Sequence, residues 1–271
     1  MFDLSNKRAL VTGALGLLGR EHVRALAEHG ASIAILDVDE ASASASDFAD
    51  AIQRRFGVAA VGIGADVTNE TSLENARRQV EARIGPIDVL VNNAALNAKV
   101  EGHKDDASAT AFENYPLEQW RRALDVNVTG MFLCCRVFGA RMAENGTGSI
   151  INIASTYGMV GPNQSLYRRP DGSQMMFKSP DYPTTKGAVL AFTRYLAAYW
   201  GPRGVRVNAL SPGGVKNGQE DWFVAQYSER TPLCRMASPN DYRGAVVFLA
   251  SDQASYMTGA NLVVDGGWTA W

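Results

Sequence analysis

Short apolar runs rich in Val, Ile and Ala alternate along this chain with longer stretches of helical periodicity, and no other feature constrains the fold as much. The runs fall at residues 8–12, 32–37, 59–65, 89–92, 149–153, 206–210 and 261–264. Strands that alternate with helices of ten or more residues form βαβ units, and these build a parallel sheet with its connections packed on the faces. Runs such as Ile150-Ile151-Asn152-Ile153 show little in-out alternation, as expected of strands covered on both sides. The pattern predicts an α/β chain with a doubly wound parallel sheet of about seven strands and helices on both faces.

Open sheets of this kind commonly reach 271 residues as one unit, so residues 1–271 are expected to form a single domain. An apolar share of 46% can fill its core, and a formal net charge of −2 gives no bias toward nucleic acid or a membrane surface. Cys134, Cys135 and Cys234 are three in number and lack framework spacing, which speaks for idle thiols in a reducing compartment. The opening MFDLSNKRALVTG runs into a strand without an apolar leader, and no run of 18 apolar residues follows; a cytoplasmic protein is expected. The Ala/Ser-rich stretch 40–51 continues into Ile52 and Phe56 and reads as a crossover helix. Ser238-Pro239 with Asp241 reads as an N-cap, a proline at the first helical position and an acid at the third, opening a helix to about Ala250.

Two segments, 94–116 and 156–181, are too long for simple connections. Both follow predicted strands and should emerge at the carboxyl edge of the sheet, where doubly wound folds bind ligands.

The first strand runs into Gly13-Ala14-Leu15-Gly16-Leu17-Leu18-Gly19, which opens the first helix. Glycines there permit a tight turn and the close approach of a pyrophosphate to a helix N-terminus, the arrangement of a Rossmann dinucleotide site. Asp37 ends the second strand, 18 residues beyond Gly19, where a carboxylate can accept hydrogen bonds from the adenosine ribose and repel a 2′-phosphate. No Lys or Arg immediately follows it, so NAD(H) is expected in preference to NADP(H).

Tyr182-Pro183-Thr184-Thr185-Lys186 places a phenol and an ammonium at i and i+4, on one face of a helix. A neighbouring cation favours phenolate and would bring a tyrosine toward working pH as a general base. Asn92-Asn93-Ala94-Ala95 follows the fourth strand, Asn127 lies in a helical stretch, and Ser155 follows the fifth strand.

With this ordered set the chain resembles the classical short-chain dehydrogenase/reductase family from Arg8 to Val263-Val264-Asp265-Gly266-Gly267. The resemblance implies a hydride transfer between nicotinamide and a carbinol or carbonyl. Tyr182 would be the acid/base, Lys186 would bind the nicotinamide ribose and depress the tyrosine pKa, Ser155 would hold the reacting oxygen, and Asn127 a relay water. For the cofactor it implies contacts from the glycine turn (Gly13, Leu15, Gly16, Leu17, Leu18), from Asp37, Asp66 and Val67 around the adenosine, and from Asn93 and Ala94 beneath it. Tyr182, Lys186, Pro212, Gly213 and Val215 would lie toward the nicotinamide. The resemblance also implies homodimers or homotetramers, assembled through the helices carrying Asn127 and Tyr182 and through the C-terminus.

The chain departs from the family pattern in four places. Its glycine spacing, GxxGxxG, is nearer that of nucleotide-sugar epimerases and dehydratases, which keep their NAD. That alternative stays open, as does a reductase of hydrophobic ketones or acyl thioesters. Ala95 replaces a glycine, Asn217 stands where a threonine is usual, and the gap from Ser155 to Tyr182 is about twice the family's, an insertion over the active-site mouth. The insertion carries Asn163, Gln164, Ser165, Tyr167, Arg168, Arg169 and Lys178, a polar and basic set. Arg168 and Arg169 could clamp an anionic group on a carbohydrate derivative. Met159, Met175, Met176 and Phe177 argue instead for an apolar pocket. His22, His29 and His103 lack ligand spacing and read as solvated or helix-face residues, so no metal site is expected.

Overall fold

The computed structural model describes residues 2–97 and 107–271. Every apolar run forms a strand: β1 (Arg8–Thr12), β2 (Ser32–Asp37), β3 (Ala60–Gly64), β4 (Val89–Asn92), β5 (Gly148–Ile153), β6 (Val205–Pro212) and β7 (Asn261–Val264). They pair in parallel in the order β3-β2-β1-β4-β5-β6-β7. The strand order reverses between β1 and β4, and the crevice above that point is where an open sheet of this kind receives a ligand. The one notable shift of boundary is in β6, which runs beyond the expected Leu210 because Ser211 and Pro212 pair with Val263 and Val264 of β7.

Among the described residues seven helices cover the sheet: α1 (Leu17–Glu28), α2 (Ser42–Phe56), α3 (Glu70–Ile84), α4 (Leu117–Asn145), α5 (Asp181–Trp200), α6 (Asp221–Glu229) and α7 (Arg243–Ala250). Successive strand residues point to opposite faces, and both faces are filled. Leu10, Leu36, Leu90, Ile150 and Val207 meet Leu73 and Val80 of α3, Phe138 of α4, and Val189 and Trp200 of α5. Val11, Ile35, Val91, Ile151 and Leu210 meet Val23 and Leu26 of α1, Phe48 and Ile52 of α2, and Val246 and Leu249 of α7. The Ala/Ser-rich stretch is indeed helical, entered through a single 3₁₀ turn at Asp39–Ala41. Ser238 and Asp241 form the expected capping box, although the first turn after it, Pro239–Tyr242, is 3₁₀ before α7 begins.

By length and composition α4 could cross a membrane, yet more than half of its apolar window is buried inside the protein, as befits a core helix. It contains two π-helical turns, Asp125–Thr129 and Cys135–Gly139, and the first carries Asn127. Cys134 and Cys135 are buried on this helix; desolvation pushes both thiols up, Cys135 to about 12. His22 departs from expectation. It lies on the inner face of α1, fully buried, with neither ring nitrogen hydrogen-bonded, and burial pulls it down to about 4. The helical periodicity of α1 permits that placement, because His22 precedes Val23 and Leu26 on the packed side. His103 lies outside the described residues.

The 156–181 insertion is ordered around an apolar cluster of its own. Two 3₁₀ turns, Thr156–Gly158 and Gln164–Tyr167, are followed by an antiparallel bridge between Arg168 and Gln174. Leu166, Tyr167, Met175 and Met176 pack with Phe223 and Tyr227 of α6 and with Met236. Of the other long segment, the described part holds two short 3₁₀ turns, Ala107–Thr110 and Phe112–Asn114.

Candidate active site

The glycine turn is held by backbone. Gly13 has φ +58°, and a Cβ there would stand 2.8 Å from the Ala94 Cα, while a Cβ on Gly19 would come within 2.2 Å of the Gly13 carbonyl oxygen. Asn93 locks the turn from β4: its side-chain amide donates to the Thr12 and Gly13 carbonyls at 3.0 and 2.9 Å. The buried Thr12 hydroxyl accepts from the backbone N–H groups of Asn93 and Ala94, both at 3.0 Å. Gly16 is the N-cap of α1 and offers no side chain to its first-turn N–H groups, which leaves that helix end suited to an anion.

Asp37 accepts from the Leu15 N–H at 2.8 Å and from the Val38 N–H at 3.0 Å, so its carboxylate is fixed beside the turn. A groove of about 750 Å³ runs past Gly13, Asp37, Asp66, Val67 and Ala94 and is lined also by Arg121 and Arg122. Asp66 is steadied by the Thr68 N–H and hydroxyl, both at 2.8 Å. Leu15 contributes through its backbone, since its side chain packs into the core, whereas Leu17 and Leu18 line a second cavity of about 290 Å³. Pro212, Gly213, Val215 and Asn217 form one wall of that cavity, and Ser155 and Tyr182 another. A groove and a cavity flanking a glycine turn and an uncapped helix N-terminus fit an extended dinucleotide.

Tyr182 lies in the first turn of α5, where Pro183 is tolerated and the i, i+4 spacing brings Lys186 beside it. The Lys186 ammonium is 5.6 Å from the centre of the Tyr182 ring and donates to the Ile153 carbonyl at 2.6 Å; burial brings it down to about 8. The Ser155 hydroxyl hydrogen-bonds the Tyr182 hydroxyl and accepts from the Tyr157 N–H at 3.2 Å. In the protein alone, burial raises the Tyr182 pKa and the Ser155 hydrogen bond opposes that rise. The depressed phenol expected from Lys186 is therefore not what the protein by itself provides, because desolvation outweighs its neighbours.

Asn127 is buried in the π-turn of α4. Its carbonyl oxygen accepts from the Leu96 N–H at 2.7 Å, and both of its amide N–H groups are taken, by the Leu96 carbonyl at 3.0 Å and the Thr185 hydroxyl at 3.1 Å. Asn127 thus ties the segment after β4 to the Tyr182 helix.

Arg168 and Arg169 are not brought to the site. Neither lines the cavity, and Arg168 is exposed, with its carbonyl accepting from Gln226 of α6. Packing against Phe223 and Tyr227 of α6 buries Tyr167, while Arg168 beside it stays exposed. The buried cation at the cavity is Lys178, which sits 5.0 Å from the Tyr182 ring centre and bonds the Asn97 side-chain oxygen. In the sequence Lys178 reads as part of a basic lid, and its position four residues before Tyr182 is the signal that sets it beside that ring. Tyr157 and Tyr167, with hydroxyls 3.3 Å apart, and Tyr227, whose hydroxyl accepts from the Gly214 N–H at 2.6 Å, complete the polar lining. Burial holds all three phenols protonated. Trp268 stacks on Tyr227 at 4.2 Å between ring centres, within the same chain. Among the described residues no three His, Cys, Asp or Glu side chains gather into a metal-binding group.

The short chain dehydrogenase family model matches residues 7–168, and an enoyl-(acyl carrier protein) reductase model matches residues 171–269. Galactitol 2-dehydrogenase (L-tagatose-forming) of Cereibacter sphaeroides is 37% identical over 100% of this chain and 98% of its own. A 3-alpha-(or 20-beta)-hydroxysteroid dehydrogenase of Mycobacterium tuberculosis is also 37% identical, over 98% of this chain and 91% of its own. A gluconate 5-dehydrogenase of Burkholderia cenocepacia, solved with NADP and tartrate, superposes with a TM-score of 0.86 at 30% identity, covering 100% of this chain and 98% of that one. The chain belongs to the short-chain dehydrogenase/reductase family, the NAD(P)(H)-dependent oxidoreductases that act on CH–OH and C=O groups.

Proposed function

We propose that this protein moves a hydride between NAD(H) and a secondary carbinol or ketone of a small polyhydroxylated substrate. The observation that carries the reading is the Ser155–Tyr182 hydroxyl pair, set in one cavity opposite Pro212 and Gly213 and backed by Lys186. When bound, the dinucleotide supplies or accepts the hydride. Tyr182 exchanges the proton at the reacting oxygen, and Ser155 orients that oxygen through a second hydrogen bond. Lys186 is placed to bind the nicotinamide ribose and to favour the phenolate once both are enclosed. Since both amide N–H groups of Asn127 are occupied, a relay water would rest on the backbone of its π-turn.

NAD(H) is preferred in this reading because Asp37 stands fixed beside the turn, where its carboxylate can accept from the adenosine ribose and repel a 2′-phosphate; Asp39 and Glu40 line the same groove, as do Arg121 and Arg122. The gluconate 5-dehydrogenase relative was solved with NADP, so the preference is a property to be measured on this chain. A polar substrate is supported by Asn97, Gln219, Lys178 and the three tyrosine hydroxyls, and by relatives that act on galactitol and gluconate. Leu17, Leu18, Val215, Phe223 and Met236 also line the cavity, and a hydroxysteroid dehydrogenase is as similar to the chain as the galactitol enzyme, so steroids belong in the same screen. We also propose that copies associate through α4 and α5, where exposed Phe132, Tyr195 and Tyr199 lie in a continuous run of ring contacts with Phe192.

The test is a screen of polyols, sugar acids, ketoses, steroids and acyl thioesters, followed at the NADH absorbance with each cofactor. Expected is turnover of a polyol or sugar acid, with kcat/KM at least tenfold higher for NAD than for NADP. Turnover confined to steroids or thioesters, or product formation without net change in NADH, would reject the reading.

A further inference from the structure

Ser155 opens the 3₁₀ turn Thr156–Gly158, which carries Tyr157 into the same cavity, and the Tyr157 N–H donates back to the Ser155 hydroxyl at 3.2 Å. One piece of backbone thus places both the hydroxyl that meets the reacting oxygen and the Tyr157 phenol. Tyr167 reaches the cavity from the insertion, with its ring centre 5.6 Å from that of Phe223. The two phenol oxygens lie 3.3 Å apart, and among the described residues each hydroxyl has the other as its one polar partner. Two O–H groups that share a single hydrogen bond leave one proton without an acceptor. Tyr227 adds another: its oxygen accepts from the Gly214 N–H, its ring is stacked on Trp268, and no described residue accepts its proton. Burial keeps all three phenols protonated. A largely buried donor with no acceptor is costly, so a cavity that keeps such donors suits a ligand that accepts from them.

We infer that the Tyr157–Tyr167 hydroxyl pair receives a second hydroxyl of the substrate, on a carbon other than the one that reacts at Tyr182, and so selects diols and polyols over simple alcohols. The inference rests on the oxidoreductase reading above and names the residues that read its polyhydroxylated substrate. The pair has one proton to give and lone pairs with which to accept, and a carbinol hydroxyl, which also does both, is its complement. Both phenols lie near enough to Tyr182 that charge on its oxygen would raise theirs, which places the second hydroxyl close to the reacting carbon. Tyr167 is 2% exposed, so its hydroxyl is held in place by packing before any substrate arrives.

The experiment compares wild type, Tyr157→Phe, Tyr167→Phe and the double variant on two substrate pairs that differ by one hydroxyl, at saturating NAD. The pairs are meso-2,3-butanediol with 2-butanol and cis-1,2-cyclohexanediol with cyclohexanol. Phenylalanine keeps each ring in its packing and removes the hydroxyl alone. Expected in the double variant is a fall of about fivefold or more in the diol-to-alcohol ratio of kcat/KM, carried by KM for the diols, with NADH affinity unchanged. Each single variant should lose only about twofold, because either phenol left alone still has its proton to give. A smaller fall in the double variant overturns the inference and leaves the dehydrogenase reading standing. So does a wild type without preference for the diols. If none of the four compounds is turned over, the rise in melting temperature that galactitol adds to the NADH-loaded protein is read instead. A rise that the double variant loses supports the pair, and one that it keeps, or that wild type lacks, overturns it. A wild type inactive on every carbinol of the wider screen sinks the oxidoreductase reading separately.

Discussion

The glycine turn after β1 and the 156–181 segment after β5 leave the same edge of the same sheet, yet they are held in different ways. The turn is fixed by main chain and by glycine: Asn93 grips two carbonyls, and Gly19 approaches Gly13 so closely that no methyl group fits between them. The insertion is fixed by its own side chains, with Leu166, Tyr167, Met175 and Met176 closing on Phe223, Tyr227 and Met236. A site made of backbone can change little without being lost, which suits a cofactor common to a family. A site made of side chains can be re-cut by substitution, which suits the part that tells substrates apart.

Replacing Tyr182 by Phe removes the proton carrier where the two regions meet, and should reduce kcat by about 10² to 10⁴ while NADH titration shows affinity kept. Near-normal turnover would remove Tyr182 from the mechanism. Gly19→Ala strikes the backbone-built half: its Cβ meets the Gly13 carbonyl oxygen at 2.2 Å, so the turn must open. NADH affinity should fall by tenfold or more while KM for the carbinol substrate at saturating NAD stays within twofold, and unchanged affinity would show that the turn yields more readily than its geometry implies.

Lys186 gives a graded contrast through pH. Its folded value, about 8, lies below the ordinary 10.5, so between those values the unfolded chain binds more protons and stability rises with pH. The penalty is fully present below pH 8 and is gone above 10.5. Melting curves of wild type and Lys186→Met should therefore shift relative to each other in favour of wild type across pH 8 to 10.5, and a constant offset would mean that Lys186 is not desolvated. The smallest effect belongs to Arg168→Ala, which should leave kcat/KM within twofold for charged and uncharged substrates alike because the side chain is exposed and off the cavity. A selective loss for substrates with an anionic group would give an anion-reading role to the tip of the insertion.

The same division explains what was readable beforehand. Strands were legible because burial on both faces writes continuous Val/Ile runs into the chain, as at Ile150 and Ile151. Gly13, Asp37, Ser155, Tyr182 and Lys186 were legible because the sheet edge brings successive loops together in a known order. The insertion was legible as a segment but not in its facing. No helix or strand period governs it, so adjacent residues such as Tyr167 and Arg168 could be assigned to opposite sides only by the α6 contacts that bury the first and leave the second in water. His22 failed for a related reason: its polarity says surface, while its position on α1 says core, and packing decided.

Trp268 braces Tyr227, Asp265 accepts from the backbone N–H groups of Gly267 and Thr269 at 2.8 and 2.9 Å, and Gly213 is packed so tightly against Asp265 that a Cβ would lie 2.8 Å from its Cα. The wall facing Tyr182 is thus finished by residues synthesised more than fifty positions after Pro212. During translation the nucleotide turn, complete once Asn93 and Ala94 have emerged, can assemble long before that wall exists. A growing polypeptide that has already acquired the means to hold its coenzyme would still lack a closed chamber for chemistry, and premature termination near residue 260 would yield a binder without a workshop.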